Sequence, residues 1–235
     1  MDAALIAGVG PGLGASLARA FASRGYAVAL ISRHAASSQP VADQILARGG
    51  RAIAIQADLS DPSQAAAAVE RSRSTLGSLT ALAYNASGYG RGPFLELQPE
   101  TIRESFQVGV MGAVYVTQAV LPNMLRSGGG FISFTGATAA LRGRAGFAPL
   151  AMAKASLRML AQSLAREFQP QGIHVVHVIV DGQIDTPRLR ARQKNRAAET
   201  FIPPDAIAEA ILYLAQQPRA AWTHEIDIRP HVETF

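Results

Sequence analysis

Short apolar runs typical of β-strands alternate with amphipathic helix patterns along almost the whole 235-residue chain. Runs such as HVVHVIV (174–180) are apolar on both faces, which is typical of parallel strands covered by helices on each side. The alternation predicts an α/β fold over residues 1–235: a single doubly wound, mostly parallel, seven-stranded sheet of Rossmann type with helices on both faces. The predicted strands are residues 3–8, 27–32, 52–56, 80–84, 130–135, 173–180 and 225–228, and the predicted helices are residues 14–23, 41–47, 62–76, 99–124, 151–168 and 204–216.

A glycine-rich string, GVGPGLG (8–14), lies between the first predicted strand and the first predicted helix. Glycines at alternate positions permit a tight turn and let a ligand approach the backbone, while the helix offers free N–H groups to a pyrophosphate. Such a string is weak evidence alone, but the strand–turn–helix context that the motif requires is present. We therefore predict a dinucleotide-binding loop whose contacts come from Gly8, Gly10, Gly12, Leu13 and Gly14.

The second predicted strand ends in LISRH (30–34), where an NAD-selective site would place an acidic residue that bonds both ribose hydroxyls. This chain has Ser32, which leaves room for a 2′-phosphate, followed by Arg33, which can pair with one. These two residues favour NADP(H) over NAD(H). The alternative is that Arg33 is a solvated loop arginine.

A lysine lies on the apolar stripe of the helix predicted for residues 151–168. A buried lysine without a partner or a function is rare, because desolvating its charge is costly. The alternative to a functional role is a lysine at the stripe's edge whose amine extends to solvent. The stripe consists of Leu150, Lys154, Leu157, Ala161, Leu164 and Phe168.

Four segments taken together resemble the short-chain dehydrogenase/reductase family, and the resemblance extends over nearly the whole chain. They are AGVGPGLG (7–14), the pair at 58–59, YNAS (84–87) and DGQIDT (181–186), in which Asp181 replaces the family's proline. The resemblance implies an oxidoreductase that binds a nicotinamide dinucleotide. It also implies that further cofactor contacts come from Asp58, Leu59, Asn85, Ala86, Gly182, Ile184 and Thr186.

The family's catalytic residues are kept much less well than its cofactor residues. Its YxxxK motif pairs a proton-donating tyrosine with a lysine that bonds the nicotinamide ribose. Lys154 matches the lysine, but Leu150 stands in place of the tyrosine. The family's substrate-binding serine falls on Ala137, and its helix asparagine falls on Gly109. The resemblance therefore implies a degenerate catalytic tetrad in which binding is kept and proton transfer is lost.

Two hydroxyl groups are candidates to replace the missing catalytic groups. Thr138 could supply the serine's hydroxyl if the loop shifts by one residue, and Tyr89 could project inward as an acid. The alternative for Tyr89 is a surface loop tyrosine. His174 and His177 lie inside an apolar strand, so we expect them to be core histidines with satisfied hydrogen bonds.

A substrate loop is predicted at about residues 187–203, because RLRARQKNR (188–196) has five basic residues and no acid. One interpretation is a lid that attracts a small anionic substrate, and the other is a solvated, partly disordered loop. Nucleic acid is not expected as a partner, since no aromatic residues are interleaved for stacking. The segment WTHEIDIRP (222–230) resembles the family's last strand and tail, which implies a homodimer or homotetramer.

Composition excludes several other classes of function. Cysteine is absent, so thiolate chemistry is excluded, and the five histidines show no metal-ligand spacing. GASLA (14–18) lacks the second glycine of a hydrolase nucleophile elbow. The N-terminus has no signal-peptide pattern and no apolar run reaches about 18 residues, so we expect a cytoplasmic protein without membrane contact.

Two functions are consistent with the sequence. The first is an NADP(H)-dependent oxidoreductase that acts on an unknown small molecule through an atypical active site. The second is a catalytically inactive dinucleotide-binding sensor or partner protein, which Leu150, Ala137 and Gly109 favour. Steady turnover of a substrate would separate the first from the second.

Overall fold

The computed structural model of the chain describes residues 2–233, so Met1, Thr234 and Phe235 of the predicted domain lie outside the described residues. A seven-stranded sheet lies at the centre, in the order β3-β2-β1-β4-β5-β6-β9, and every neighbouring pair is parallel. This confirms the predicted doubly wound sheet. Its strands are β1 (Ala3–Ala7), β2 (Ala27–Ser32), β3 (Ala52–Gln56), β4 (Leu79–Tyr84), β5 (Gly130–Thr135), β6 (Ile173–Val180) and β9 (Glu225–Ile228).

Helices cover both faces of the sheet, and the alternation of side chains along the central strands divides the core in two. In β1, Ala3, Leu5 and Ala7 face one cluster of buried residues, whereas Ala4 and Ile6 face the other. The first cluster contains residues of α3, α5 and α6, and the second contains residues of α1, α2 and α8. The helices are α1 (Leu13–Ser23), α2 (Ala35–Ala47), α3 (Pro62–Leu76), α4 (Pro99–Phe106), α5 (Gly112–Arg126), α6 (Ala148–Phe168), α7 (Pro187–Arg192) and α8 (Pro204–Ala215).

The strand order reverses at β1, which lies between β2 and β4. Ala7 is in register with Ile31 of β2 and with Tyr84 of β4. The residues that follow these three, Gly8, Ser32 and Asn85, therefore emerge side by side at the carboxyl edge of the sheet. In open α/β sheets, ligands bind in the crevice at this reversal point.

Two predicted helices differ clearly from the structure, and three others differ by three residues or fewer at one end. Helix α2 begins at Ala35 instead of residue 41, although it contains Pro40. The Ser32 hydroxyl stabilises its first turn, because this hydroxyl lies 2.8 Å from both the His34 carbonyl oxygen and the Ser38 Oγ. The predicted helix 99–124 is interrupted by a π-helical segment, Gln107–Met111, and ends at Arg126.

The π-helical segment is held by a tyrosine from the sheet. The buried Tyr84 hydroxyl donates a hydrogen bond to the Val108 carbonyl oxygen at 2.6 Å, and burial raises the pKa of this hydroxyl above its usual range. A Cβ atom at Gly112 would lie 2.5 Å from the same hydroxyl. Glycine at position 112 therefore gives Tyr84 the room to reach the π-helical segment.

The segment Pro99–Arg126 has 28 residues and a mean hydropathy of 1.4 in its most apolar stretch, enough by length and composition alone to cross a membrane. Half of that stretch is buried inside the fold. The residues Ala113, Val116 and Val120 of α5 belong to the core cluster that also contains α3 and α6. This segment is thus packed as a core helix.

The predicted substrate loop, residues 187–203, is folded in this structure and is not a solvated coil. It contains α7, a 3₁₀ turn at Ala198–Thr200 and the strand β8 (Phe201–Ile202). Strand β8 pairs with β7 (Gln183–Ile184), which directly follows the carboxyl end of β6. The prediction of strands by apolar runs missed these two, since two residues are too few to show a pattern.

Candidate active site

The glycine-rich turn after β1 brings two loops into close contact. Gly8 has φ +94°, and a Cβ atom there would lie 2.4 Å from the Ala86 nitrogen. Because no side chain intervenes, Asn85 can donate from Nδ2 to the Gly8 carbonyl oxygen at 2.9 Å and from its backbone N–H to the Ala7 carbonyl oxygen at 2.8 Å. The asparagine side chain thus joins the ends of β1 and β4.

A first cavity of about 310 Å³ opens beside this turn. A Cβ atom at Gly10 would meet nothing within 4 Å, and the N–H groups of Gly10, Gly12 and Leu13 have no acceptor within residues 2–233. The first turn of α1 contains no acidic residue and no side-chain cap, so its positive dipole end is available. These features fit the pyrophosphate of a dinucleotide. The cavity is lined by Gly8, Val9, Gly10, Ile31, Ser32, Arg33, His34, Ser37, Ala57, Asp58, Leu59, Asn85, Ala86, Ser87 and Val108.

The far end of the first cavity combines a carboxylate and an exposed arginine. The Asp58 carboxylate accepts hydrogen bonds from the Ser60 backbone and hydroxyl at 2.9 and 2.7 Å. These bonds lower its pKa, and the nearby Arg33 guanidinium lowers it further. Ser32 is buried with its hydroxyl directed into the first turn of α2, whereas Arg33 is exposed. The structure thus brings the predicted adenosine-end residues together, and Arg33 is the cation that a ligand can reach.

The predicted nicotinamide-end residues lie on the other side of the glycine-rich turn. The Thr186 Cγ2 atom would lie 2.8 Å from a Cβ atom at Gly12, so this threonine packs directly over the turn. The Thr186 hydroxyl also accepts the Leu189 N–H at 3.3 Å and caps α7. Gly182, Ile184 and Thr186 all line a second cavity of about 640 Å³.

The second cavity shares Asn85 with the first, so the two cavities adjoin at this residue. Leu150 and Ala137 both line it, at the positions of the family's tyrosine and serine. Gly109 faces α6 instead, where a Cβ atom would lie 3.3 Å from the Ala153 Cβ. The structure therefore brings two of the three substituted positions to the cavity wall and leaves the wall apolar there.

Thr138 lines the second cavity, but its hydroxyl proton is already used. The hydroxyl donates to the Asp181 Oδ1, and Asp181 is buried. This carboxylate also forms an ion pair with Arg229, with a nitrogen–oxygen distance of 3.3 Å, and lies 3.8 Å from a nitrogen of Arg142. Held in this way, Thr138 presents oxygen lone pairs to the cavity, and its part in place of the family's serine stays a prediction.

Tyr89 also lines the second cavity, but its side chain is 62% exposed. The inward-pointing orientation of an acid is therefore not observed, and Tyr89 lies at the rim. His174 and His177 are buried as expected, but the expectation of satisfied hydrogen bonds fails for His177, whose Nε2 has no partner among the described residues. The His174 Nε2 lies 2.8 Å from the Thr223 carbonyl oxygen and its ring stacks on Trp222, and the His177 Nδ1 lies 2.9 Å from the Glu225 Oε2.

Lys154 is buried, with 5% of its side chain exposed, so it does not extend to solvent at the edge of the helix. Its Nζ donates to the Thr135 carbonyl oxygen at 2.6 Å, and burial lowers its pKa to about 8. The amine does not line either cavity in this structure. It lies directly behind the turn that follows β5, from which Ala137 and Thr138 face the second cavity.

Three arginines of the second cavity were missed by the sequence prediction. Arg91 follows β4, and Arg142 and Arg144 precede α6, so all three lie on loops at the carboxyl edge of the sheet. The signal was present, since loops at that edge form the ligand crevice in this fold. The sequence prediction used the basic run 188–196, which belongs to one loop only. Within residues 2–233 there is no group of three metal-ligating side chains.

Comparison with known proteins agrees with this geometry. A model of the short chain dehydrogenase family matches residues 2–197. Oxidoreductase UcpA of Escherichia coli K12 is 33% identical over 82% of this chain and 73% of its own length. The probable galactose dehydrogenase GalD of Rhizobium meliloti is 33% identical over 93% of this chain and 90% of its own.

Two solved structures share the whole architecture. The crystal structure of a short-chain dehydrogenase from Rhodopseudomonas palustris has a TM-score of 0.86 and 33% identity, and the match covers 98% of this chain and 99% of that one. A blue fluorescent protein from a metagenomic library, solved in complex with NADPH, has a TM-score of 0.87 and 28% identity, with 97% and 96% covered. Sequence, fold and crevice agree: the chain belongs to the short-chain dehydrogenase family.

Proposed function

We propose that this protein is an NADP(H)-dependent oxidoreductase that acts on a small molecule through an atypical active site. One observation carries the proposal. Two cavities meet at Asn85, and the first has the glycine-rich turn and Arg33 that suit a dinucleotide, while the second is large enough for a substrate. The reacting ends of cofactor and substrate would thus meet beside Asn85.

The cofactor's phosphates would be held by the backbone of Gly10, Gly12 and Leu13 at the start of α1, with Thr186 packed over them. Asp58 and Leu59 would hold the adenine end, and Gly182 and Ile184 the nicotinamide end. A bound nicotinamide supplies a hydride donor or acceptor. The chain's own contribution is to bind and orient the cofactor and to shield the reacting end from water with Leu150.

The preference for NADP(H) is supported by charge at the far end of the first cavity. Arg33 is exposed there, and the first turn of α2 contains no acidic residue that would repel a 2′-phosphate. The relative solved with NADPH also supports it. Arginine matches phosphate through two parallel hydrogen bonds, which is stronger than a contact between neutral groups.

Proton transfer limits the substrates that this site could use. Leu150 cannot move a proton, and the Thr138 hydroxyl already donates its hydrogen bond to the Asp181 carboxylate. We infer that the substrate needs little acid assistance or supplies its own, as an already activated carbonyl, quinone or imine does. The Thr138 lone pairs can accept a hydrogen bond from a substrate hydroxyl or amine and orient it.

The same observation favours a second candidate function, a catalytically inactive dinucleotide-binding sensor or partner protein. The cavity wall beside Asn85 is formed by Leu150 and Ala137, so it has no acid where the family places one. Lys154 keeps its position on α6 in either case. The two functions differ in whether hydride leaves the cofactor.

The first experiment is a thermal-shift titration with NADPH, with NADH and without ligand. A ligand at about 100 times its dissociation constant adds about 2.7 kcal/mol of stability, which raises the melting temperature measurably. We expect a larger shift with NADPH. No shift with either dinucleotide would contradict both functions.

The second experiment measures NADPH oxidation with a panel of activated carbonyls, quinones and imines. The purified protein and a Lys154→Ala variant are assayed side by side. Turnover well above the variant supports the oxidoreductase and removes the sensor. Binding of NADPH without turnover on the whole panel supports the sensor instead.

A further inference from the structure

Five arginines from three separate chain segments line the second cavity. The loop after β4 contributes one, the loop before α6 contributes two, and the substrate loop contributes two. Glu233 is the one carboxylate among the described lining residues. Unlike charges that are spread evenly over a surface, these line one cavity, which concentrates their field. The arginines are Arg91, Arg142, Arg144, Arg192 and Arg196.

Three of these guanidinium groups are available to a ligand. Arg91, Arg144 and Arg192 are exposed and make no hydrogen bond or ion pair with any residue in the range 2–233. Arg190, in the same helix as Arg192, differs from them. It binds the Asp185 carboxylate through two bonds of 2.7 and 2.8 Å. In the substrate loop, Arg190 thus stabilises the local fold, whereas Arg192 lines the cavity.

The same cavity also has apolar lining residues. Leu13, Phe147 and Leu150 are among them, and Leu150 stands at the position of the family's tyrosine, where the reaction would occur. A molecule that suits both kinds of lining has an uncharged reacting group and carries its negative charge elsewhere. A single carboxylate pairs with the guanidinium group of one arginine through two hydrogen bonds. Here three unpaired guanidinium groups come from three different segments, so they suit more than one negative charge.

We propose that the substrate of this site is a carbonyl or hydroxyl compound that carries two or more negative charges, as carboxylates or a phosphate. The inference rests on the proposed function for the reaction itself, but anion binding by the cavity does not depend on it. Arg91, Arg144 and Arg192 bind the charged groups and are specificity-determining residues. The dinucleotide's own phosphates belong to the first cavity, beside Gly10 and Arg33.

The test uses small dianions and their neutral analogues as probes. Succinate represents two carboxylates and is compared with succinamide, and glycerol 3-phosphate represents a phosphate and is compared with glycerol. Each is titrated into the full protein, with and without saturating NADPH, and binding is followed by the melting temperature and the fluorescence of the single tryptophan, Trp222.

The decisive variant is Arg144→Gln/Arg192→Gln, which removes two unpaired cations from two different segments. Arg188→Gln is the matched control, because Arg188 is an exposed arginine of the same helix α7 that does not line the cavity. We expect at least one dianion to bind about tenfold or more tightly than its neutral analogue, and the double variant to lose about tenfold or more of that affinity. The control should stay within about twofold of the wild type.

Two results would overturn the inference: no preference for either dianion over its neutral analogue, or an equal loss of affinity in Arg188→Gln and in the double variant. Carboxylate and phosphate sources are distinguished by which dianion binds. An NADPH shift with no dianion preference would refute the inference and leave the proposed function intact. Dianion binding without any NADPH shift would support the inference and contradict the proposed function.

Discussion

The Lys154 Nζ donates a hydrogen bond to the backbone carbonyl oxygen of Thr135 at 2.6 Å, inside the fold between α6 and the end of β5. A buried ammonium group with one protein partner is costly, because the carbonyl replaces only part of its hydration. The sequence places this lysine on an apolar stripe, and in the structure Lys154, Leu157 and Ala161 of that stripe are buried. Its energetic cost should be measurable.

A Lys154→Met variant should reveal this cost through pH. Burial lowers the folded-state pKa of Lys154 from 10.5 to about 8. Below the folded-state pKa, the amine is charged in both the folded and the unfolded protein, and the folded protein bears the full cost of burying that charge. Between the two pKa values, the amine is neutral in the folded protein and charged only in the unfolded protein. The unfolding free energy of the wild type, minus that of the variant, should therefore rise by about 3 kcal/mol from pH ~7 to pH ~11.

Urea denaturation at several pH values measures this difference. Lys194→Met is the control, because Lys194 is the other lysine of the chain and is exposed. Its difference from the wild type should be flat over the same pH range. A flat difference for Lys154→Met as well would contradict the buried, charged amine.

Gly8→Ala should destabilise the protein more than Gly25→Ala does. Both glycines have positive φ, +94° and +84°, so alanine is strained at either position. Only at Gly8 would the new Cβ meet backbone, at 2.4 Å from the Ala86 nitrogen, whereas nothing lies within 4 Å at Gly25. We expect a loss of about 1 kcal/mol for Gly25→Ala and about 2 kcal/mol more for Gly8→Ala. Equal losses in denaturant unfolding would show that the β4 turn can move away.

Arg33→Ala should change cofactor preference. Loss of a charge-assisted contact to the 2′-phosphate should weaken NADPH binding about tenfold or more and leave NADH binding within about twofold. Arg71→Ala, on the outer face of α3, is the control for net charge. Thermal-shift titrations measure all three proteins, and equal weakening of both dinucleotides by Arg33→Ala would assign Arg33 to some other role.

Leu150→Tyr alone should restore little carbonyl reduction, within about tenfold of the background rate. Leu150 and Ala137 line the same cavity. The single variant still has no hydroxyl at position 137 to orient the substrate, and it still has glycine at position 109, where the family has its helix asparagine. Catalytic groups that act as a unit are strongly non-additive. The measurement is NADPH oxidation by the single variant and by Leu150→Tyr/Ala137→Ser/Gly109→Asn. Robust turnover by the single variant would refute the prediction.

The seven strands of the main sheet and the glycine-rich turn between β1 and α1 could be predicted because their signals are local. Buried strands need apolar side chains on both faces, as in β6, and a turn that approaches a ligand needs glycine at spaced positions. The chain from Gly8 to Gly14 carries both the turn and the helix start in seven consecutive residues. Such features depend on neighbours in sequence and are readable there.

Other features depend on contacts between residues far apart in the chain. The Tyr84 hydroxyl donates to the Val108 carbonyl oxygen in the π-helical segment, 24 positions away, and the Thr138 hydroxyl donates to Asp181, 43 positions away. The five arginines of the second cavity come together because loops from three segments meet at one edge of a parallel sheet. The sequence by itself therefore determined the fold and the glycine-rich turn after β1. Only the tertiary structure decided which hydroxyls remain free and where unpaired charge converges, because both depend on which distant side chains become neighbours.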